Sequence, residues 1–279
     1  MEGGIKPIFK QKVPCQDKKK KKYSKMKITL LQTDIIWGQH EANLAHLDHL
    51  LEGVGECDLI VLPEMFTTGF DTNPETVADD EGLALKWMRN TVRQRNCALA
   101  GSVATKVGEN YYNRMYFVSP DLLLASYDKH HLFTYGHEQE AFTPGHRRVV
   151  IPYRGARILL QVCYDLRFPV FSRNRGDYDL AIYVANLRQG RQKVWDTLLS
   201  ARAIENQAYV VGVNRVGSDA NGQYAGGSKL VDLFGETIVK AEEGVESIVT
   251  GEIDLDRLKA FRKEFPVLDD ADQFKLLVP

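Results

Sequence analysis

Arg157-Ile-Leu-Leu-Gln-Val-Cys163-Tyr-Asp-Leu-Arg-Phe-Pro169 is the stretch on which the reading of this chain turns. The apolar run Ile158 to Val162 has the length of a strand and no helical spacing, which predicts a buried strand that stops at a cysteine. Pro169 and the aromatic residues before it predict a turn into a helix. A thiol at a strand end lies beside backbone N–H groups, where developing negative charge can be stabilised. The plain alternative is a core cysteine, since free Cys is among the most buried residue types.

Outward from this strand the chain alternates between the two periodicities. Lys27 to Gln32 predicts a first strand, and Leu44, Leu47, Leu51 and Val54 recur at helical spacing. Asp58-Leu-Ile-Val-Leu-Pro-Glu64 reads as a second buried strand ending in a carboxylate. A helix is expected from Gly82 to Asn96 with Leu83, Trp87 and Val92 on one side, then a short strand from Ala98 to Ser102. Tyr111 to Ser119 and Leu122 to Asp128, broken by Pro120-Asp121, predict a hairpin, and Lys129 to Arg148 a loop. Beyond Cys163 come a strand from Asp179 to Asn186, a helix from Arg191 to Asn206, a strand from Tyr209 to Arg215 and a strand-rich end at Lys229–Leu233, Thr237–Lys240 and Ser247–Ile253. A short helix and a polar tail close the chain, and Gly226-Gly227-Ser228 reads as a turn. Asp58 to Glu64 and Asp179 to Asn186 are both acid-started apolar strands that deliver a polar residue at their C-terminal ends, a hint of internal duplication. Ligands gather at such strand ends in α/β sheets. Many strands, several antiparallel, predict two sheets packed face to face under helices. No GxGxxG follows any strand, so a dinucleotide-binding open sheet is unsupported.

The 279 residues are 44% apolar and 26% charged, ordinary for a globular protein of one large domain or two small ones. A net charge of −1 supplies no global field for nucleic acid or membrane, and no apolar run approaches the ~20 residues of a membrane span. Cys15, Cys57, Cys97 and Cys163 lack metal-finger spacing and fit a reducing compartment, which points to the cytoplasm; Cys57 and Cys97 read as core. Residues 1–25 are polar and carry the run Lys18 to Lys22. They are read as a disordered basic leader or the product of an upstream start codon, because Met26 directly precedes the first strand.

Three strand exits carry the chemistry: Glu64, Lys129 and Cys163. A carboxylate ending an apolar strand is expected to be desolvated and suited to proton transfer, though a capping or salt-bridged Glu is the plain reading. Most lysines are solvated, so Lys129 alone says little. Together the three have what acyl transfer needs: a base for the thiol proton, a nucleophile and a cation for the tetrahedral oxyanion.

With Leu62-Pro-Glu64-Met-Phe66, Tyr127-Asp-Lys129-His-His-Leu-Phe133 and Val162-Cys163-Tyr-Asp-Leu-Arg-Phe-Pro169 in this order, the chain resembles the nitrilase (carbon–nitrogen hydrolase) superfamily from Met26 to its C-terminus. Tyr183-Val-Ala-Asn186, Ala201-Arg-Ala-Ile-Glu-Asn206 and Asn214-Arg-Val-Gly217, with the ending Phe265-Pro266 to Phe274, look most similar to its omega-amidase group. The resemblance implies a four-layer αββα sandwich with two mixed sheets, a single hydrolase domain over residues 26–279, and homo-oligomers joined through outer helices. It implies Glu64 as general base, Cys163 as nucleophile, and Lys129 with the backbone N–H of Tyr164 as the oxyanion site. It also implies a second glutamate, matched by Glu138 with Glu140 in competition. The implied reaction releases ammonia from the terminal amide of a 2-oxo dicarboxylic acid monoamide through a thioester, without metal or organic cofactor. Rival readings are a sister hydrolase of N-carbamoyl amino acids, a nitrilase, or an idle scaffold. A nitrilase fits less well, because Cys163 to Arg167 resembles the amidase version.

A 2-oxo acid carries a carboxylate that an arginine should meet. Arg188 and Arg191 follow Asn186, itself at a strand exit, and Arg191 matches an arginine of the omega-amidase group. Where many members have Ala-Asn-Trp-Pro this chain has Ala185-Asn186-Leu187-Arg188, which reshapes that wall. Phe66, Tyr135 and Phe168 are candidate apolar lining, with core packing as the alternative. His130, His131, His137 and His146 cluster in sequence without HExxH or comparable ligand spacing, so no metal site is expected. A Cys–His dyad is the subtler rival, and the resemblance favours Glu64 over a histidine as the base.

Overall fold

The computed structural model describes residues 23–79, 82–121 and 124–277. In chain order the elements are β1 (Lys25–Gln32), α1 (His40–Glu52), β2 (Leu59–Val61), α2 (Pro74–Val77), α3 (Leu83–Arg95), β3 (Ala98–Val107), β4 (Asn110–Val118), β5 (Leu124–Asp128), α4 (Glu138–Ala141), β6 (Val150–Tyr153) and β7 (Ala156–Val162). There follow α5 (Pro169–Ser172), β8 (Leu180–Ala185), α6 (Gln192–Asn206), β9 (Tyr209–Asn214), β10 (Val216–Asp219), β11 (Gly222–Ala225), β12 (Lys229–Val231), β13 (Thr237–Lys240), β14 (Ser247–Asp254) and α7 (Leu255–Glu264).

Two six-stranded sheets, ordered β14-β1-β2-β3-β4-β5 and β13-β12-β9-β8-β7-β6, pack face to face. Their strands read as continuous apolar runs because both faces are covered. Side chains alternate between the layers. Ile28, Leu30, Val61, Ala98 and Ala100 meet Ile158, Leu160, Val162, Ile182 and Val184 between the sheets. Ile60, Leu62, Leu99 and Val103 point outward to Leu44, Leu47 and Leu51 of α1 and Met88 and Val92 of α3. Leu159, Ala181, Tyr183 and Val210 point outward to Trp195, Leu199 and Ala203 of α6. The αββα sandwich follows directly from this alternation.

The hint of duplication is legible in the topology. From β14 to β5 successive neighbours run antiparallel, parallel, parallel, antiparallel, antiparallel. From β6 through β7, β8, β9 and β12 to β13 the series is the same. β2 and β8 are the equivalent strands, and the acids that start them do equivalent work. Asp58 Oδ2 accepts from Lys27 N at 2.7 Å, and Asp179 Oδ2 from Arg157 N at 3.0 Å, in each case tying the strand to its parallel neighbour.

Several local expectations are corrected. The fold begins at Lys25, which pairs with Asp254, and Ser24 O accepts from Leu255 N at 2.7 Å. Residues 1–22 of the expected leader lie outside the described residues. On α3 the buried stripe is Ala84, Met88, Thr91 and Val92, while Leu83 is 37% exposed. Asp79 sets that phase by accepting from Leu83 N and Ala84 N at 2.9 and 2.8 Å. The hairpin at residues 110–128 forms, but β3 continues to Val107. The edge strand β6 and the two-stranded β10–β11 ribbon were not anticipated. The expected helix after Pro169 is a single turn preceded by a 3-10 segment, Cys163–Arg167.

Candidate active site

Glu64 leaves the C-terminal end of β2 through a pinned turn. Leu62 N donates to Ala100 O at 2.8 Å and Met65 N to Ser102 Oγ at 2.9 Å. Met65 itself holds a left-handed φ of 43°, unusual for a side chain without a polar local partner. Lys129 leaves β5 with its N–H on Asn113 O at 2.9 Å. Cys163 leaves β7, also at φ 43°. Such strain persists where surrounding contacts over-determine it. Here Asp165 supplies them: its Oδ2 accepts from Val162 N at 2.9 Å and Tyr127 OH at 2.7 Å, and its Oδ1 from His131 N at 3.0 Å. One buried carboxylate thus ties the turn carrying the thiol to the segment carrying the lysine.

The three strand exits converge. Lys129 Nζ donates to Glu64 Oε1 at 2.9 Å and to Glu138 Oε1 and Oε2 at 3.0 and 2.8 Å, all three residues being buried. Glu138 is therefore the second glutamate at this site. Glu140 points to solvent and bonds His137. Glu138 is further held by Phe133 N at 2.6 Å. Desolvation alone would pull the Lys129 ammonium down, but the charges of Glu138 and Glu64 outweigh it and hold its pKa above the usual value. Burial pushes the Glu138 carboxyl up, against the pull of Lys129. Burial also raises the Cys163 thiol, and Glu64 beside it adds to this while Lys129 opposes it. These surroundings favour the protonated thiol over the thiolate at Cys163.

Asn186, at the end of β8, meets its equivalent strand across the site: its backbone N–H donates to Glu64 Oε2 at 2.7 Å and its side-chain amide to Glu64 O. Asn113, which sequence reasoning missed, donates from Nδ2 to Glu64 Oε1 at 2.7 Å and Glu138 Oε1 at 3.0 Å. Its only signal was an amide side chain within the aromatic-rich strand Asn110–Val118, next to Arg114.

Glu64, Lys129, Cys163, Tyr164 and Asn186 line a cavity of about 180 Å³ together with Arg167, Arg188 and Arg191. The proposed apolar lining is corrected. Phe66 is 1% exposed and packs outward, with its ring 5.9 Å from Trp87. Gly101 leaves it room, since a Cβ there would sit 2.8 Å from the ring. Phe168 stacks on His131 at 3.8 Å and Tyr135 is 78% exposed, and neither lines the cavity. The walls are instead Trp37, Phe70, Phe133, Leu166 and Leu187. Arg191 lies over the Phe133 and Tyr135 rings at 4.7 and 5.6 Å. Leu187, in the departed wall, is fixed by Asn214, whose Oδ1 accepts from Leu187 N at 2.8 Å. His130 and His131 serve the framework, bonding Gly145 O and Asp165, and His137 bonds Glu140. Among the described residues no three His, Cys, Asp or Glu side chains are grouped to hold a metal ion.

A two-sheet sandwich with a thiol, a carboxylate and an ammonium buried together at its strand ends is the architecture of an αββα amide hydrolase. The carbon-nitrogen hydrolase family profile matches residues 27–263, and the chain belongs to that family, within the nitrilase superfamily. Omega-amidase YafV of Yersinia enterocolitica is 48% identical over 255 residues, 91% of this chain and 100% of that protein. The 2-oxoglutaramate amidase of Bacillus subtilis (strain 168) is 34% identical over 254 residues, 88% of this chain and 97% of that one. A crystallised CN-hydrolase superfamily protein of Xanthomonas campestris, with an arsenic adduct in its active site, matches at a TM-score of 0.87 and 39% identity, over 90% of this chain and 99% of that one.

Proposed function

We propose that this hydrolase is an omega-amidase, releasing ammonia from the terminal amide of a 2-oxo dicarboxylic acid monoamide. The observation that carries the reading is the Cys163 cavity, lined by the buried Glu64 and Lys129 and by the more exposed Arg167, Arg188 and Arg191. The Cys163 sulfur attacks the amide carbon as Glu64 takes the thiol proton, and Lys129 with the Tyr164 backbone N–H stabilises the oxyanion. Glu64 returns the proton to the nitrogen, ammonia leaves and a thioester remains. Water then attacks the thioester carbon with Glu64 again accepting a proton, and the acid is released as the thiol re-forms. Arg191, half-buried with its guanidinium carbon 4.7 Å from the centre of the Phe133 ring, receives the substrate carboxylate at the far end.

Ammonia release from 2-oxosuccinamate and 2-oxoglutaramate, beside glutamine, a nitrile and an N-carbamoyl amino acid, tests this. Turnover confined to the oxo-acid amides is expected, and turnover of the carbamoyl compound alone would overturn the substrate assignment. We also propose that the enzyme acts in a reducing cytoplasm, where Cys163 stays a thiol. It is further proposed to form homodimers through its outer layer, where Ile204, Phe234 and Phe265 are exposed; light scattering that returns a monomer mass would refute that. The leader is proposed to be dispensable, so removing residues 1–22 should leave kcat unchanged.

A further inference from the structure

The two carboxylates at this site are not equally available. Glu138 Oε1 accepts from Lys129 and Asn113, and its Oε2 from Lys129 and Phe133 N. Glu64 Oε1 likewise accepts twice, from Lys129 at 2.9 Å and Asn113 at 2.7 Å. Glu64 Oε2 accepts from Asn186 N, which leaves a lone pair on the oxygen that must take the thiol proton. Asn113 is fully buried, and its Nδ2 faces both Oε1 atoms. The opposite amide orientation would set a carbonyl against two carboxylates, so the donor assignment is forced by charge. The same residue's backbone oxygen holds Lys129 N.

We propose that Asn113 is a positioning residue of the thiol chemistry: by bridging Glu64 and Glu138 through one amide nitrogen, it saturates the inner oxygen of the base and leaves Oε2 to take the Cys163 proton. This deepens the reading above and rests on Glu64 being the base. The charged and titratable groups around the bridge are Glu64 from the β2 exit, Lys129 from the β5 exit, Glu138 from α4 and Cys163 from the β7 exit. Removing the amide leaves two carboxylates on one ammonium. One of them then takes up a proton more readily, and the base is lost at higher pH.

The test needs no substrate. Iodoacetamide alkylates the thiol: a bond forms from sulfur to the methylene carbon, iodide leaves and the thiol proton passes to the base. The rate is followed on the Cys163 peptide by mass spectrometry across pH, in the full chain, with kcat, KM and thermal stability measured in parallel. Asn113→Leu should slow alkylation at pH 7 by about 10- to 100-fold, the scale of a lost hydrogen bond to a charged group. Its acid limb should move up by about one pH unit. Asn113→Ala, which leaves room for a water that donates in its place, should lose less, with KM nearly unchanged in both. A wild-type alkylation profile in folded Asn113→Leu overturns the proposal. If that variant does not fold, Asn113→Ala decides by the same profile: a raised limb supports the proposal and a wild-type limb overturns it. Glu64→Gln is the control for the underlying reading. Unchanged alkylation there removes Glu64 as base, and the proposal with it. Failure to turn over oxo-acid amides would touch only the substrate assignment.

Discussion

At the residue scale Glu64, Lys129 and Glu138 are buried in mutual contact beside Cys163, and each removal has its own signature. Cys163→Ala should abolish turnover, by at least about a thousand-fold in kcat, with the melting temperature preserved. Substantial residual activity would refute the thioester route. Lys129→Met leaves Glu64 and Glu138 facing one another without their cation. Breaking a buried pair in this way costs about 3–5 kcal/mol, so urea denaturation should show a large loss of stability as well as of activity. Pairing that change with Glu138→Gln should recover part of the stability and none of the turnover; no recovery would mean that the two charges are not coupled. Arg191→Gln should raise KM for oxo-acid amides by about 10- to 100-fold with little change in kcat if, as proposed, its charge meets the part of the substrate that does not react. A change in kcat alone would reassign it. The residues legible in advance at this scale were those that end apolar runs: Glu64, Lys129, Cys163 and Asn186. Glu138 could not be separated from Glu140 because both lie in one short turn, and only the packing of α4 decides which faces inward.

The strand exits work, at the element scale, because the segments after them are pinned. Gly145 N donates to Lys129 O at 2.9 Å, and a Cβ on Gly145 would lie 2.1 Å from Asp128 O. Gly145→Ala must therefore displace the exit of β5. A misplacement of about 1 Å at a catalytic group costs on the order of a hundred-fold, so kcat should fall by about that much while KM changes less. Unaltered kcat would show that the segment tolerates the shift. Elements with a strong pattern were legible: the continuous apolar runs around Val61, Leu160 and Val184, and the Leu44–Leu47–Leu51 face of α1 at helical spacing. Weak signals failed for identifiable reasons. β6 and the β10–β11 ribbon are four-residue strands without a repeating pattern, and the α3 stripe sits one residue over because the Asp79 cap sets its phase. Phe66, Tyr135 and Phe168 were assigned to the cavity from their nearness in sequence to Glu64, Lys129 and Cys163. A strand exit fixes where one side chain points, not where its neighbours in the following turn go.

For the molecule as a whole, Asp179 joins the second sheet to the C-terminal helix. It pairs with Arg157 at 2.7 Å and Arg262 at 2.8 Å and accepts from Arg157 N. Burial alone would raise its pKa, but these donors hold it below the ordinary 3.8. A carboxyl depressed in the folded state stabilises above its unfolded value and loses that contribution as pH falls through the folded one. Stability should thus decline below about pH 3.8, and Asp179→Asn should lower the urea midpoint at neutral pH and flatten this acid limb. An unchanged limb would assign acid unfolding to other carboxylates, such as Asp177 with Arg148.

The sequence by itself determined the two-sheet sandwich, its hint of duplication and the three strand exits that carry Glu64, Lys129 and Cys163. All of these are local: an apolar run of strand length, and a polar residue where that run stops. The tertiary structure alone decided that these exits share a cavity, which glutamate joins them, what lines the walls, and that Asn113 bridges the carboxylates. Those outcomes depend on residues 49 positions apart for Asn113 and Glu64, and 122 apart for Asn186 and Glu64, being brought to hydrogen-bond distance. Strand pairing from β2 through β3 to β4 within the first sheet closes the former separation, and the packing of the two sheets against each other closes the latter.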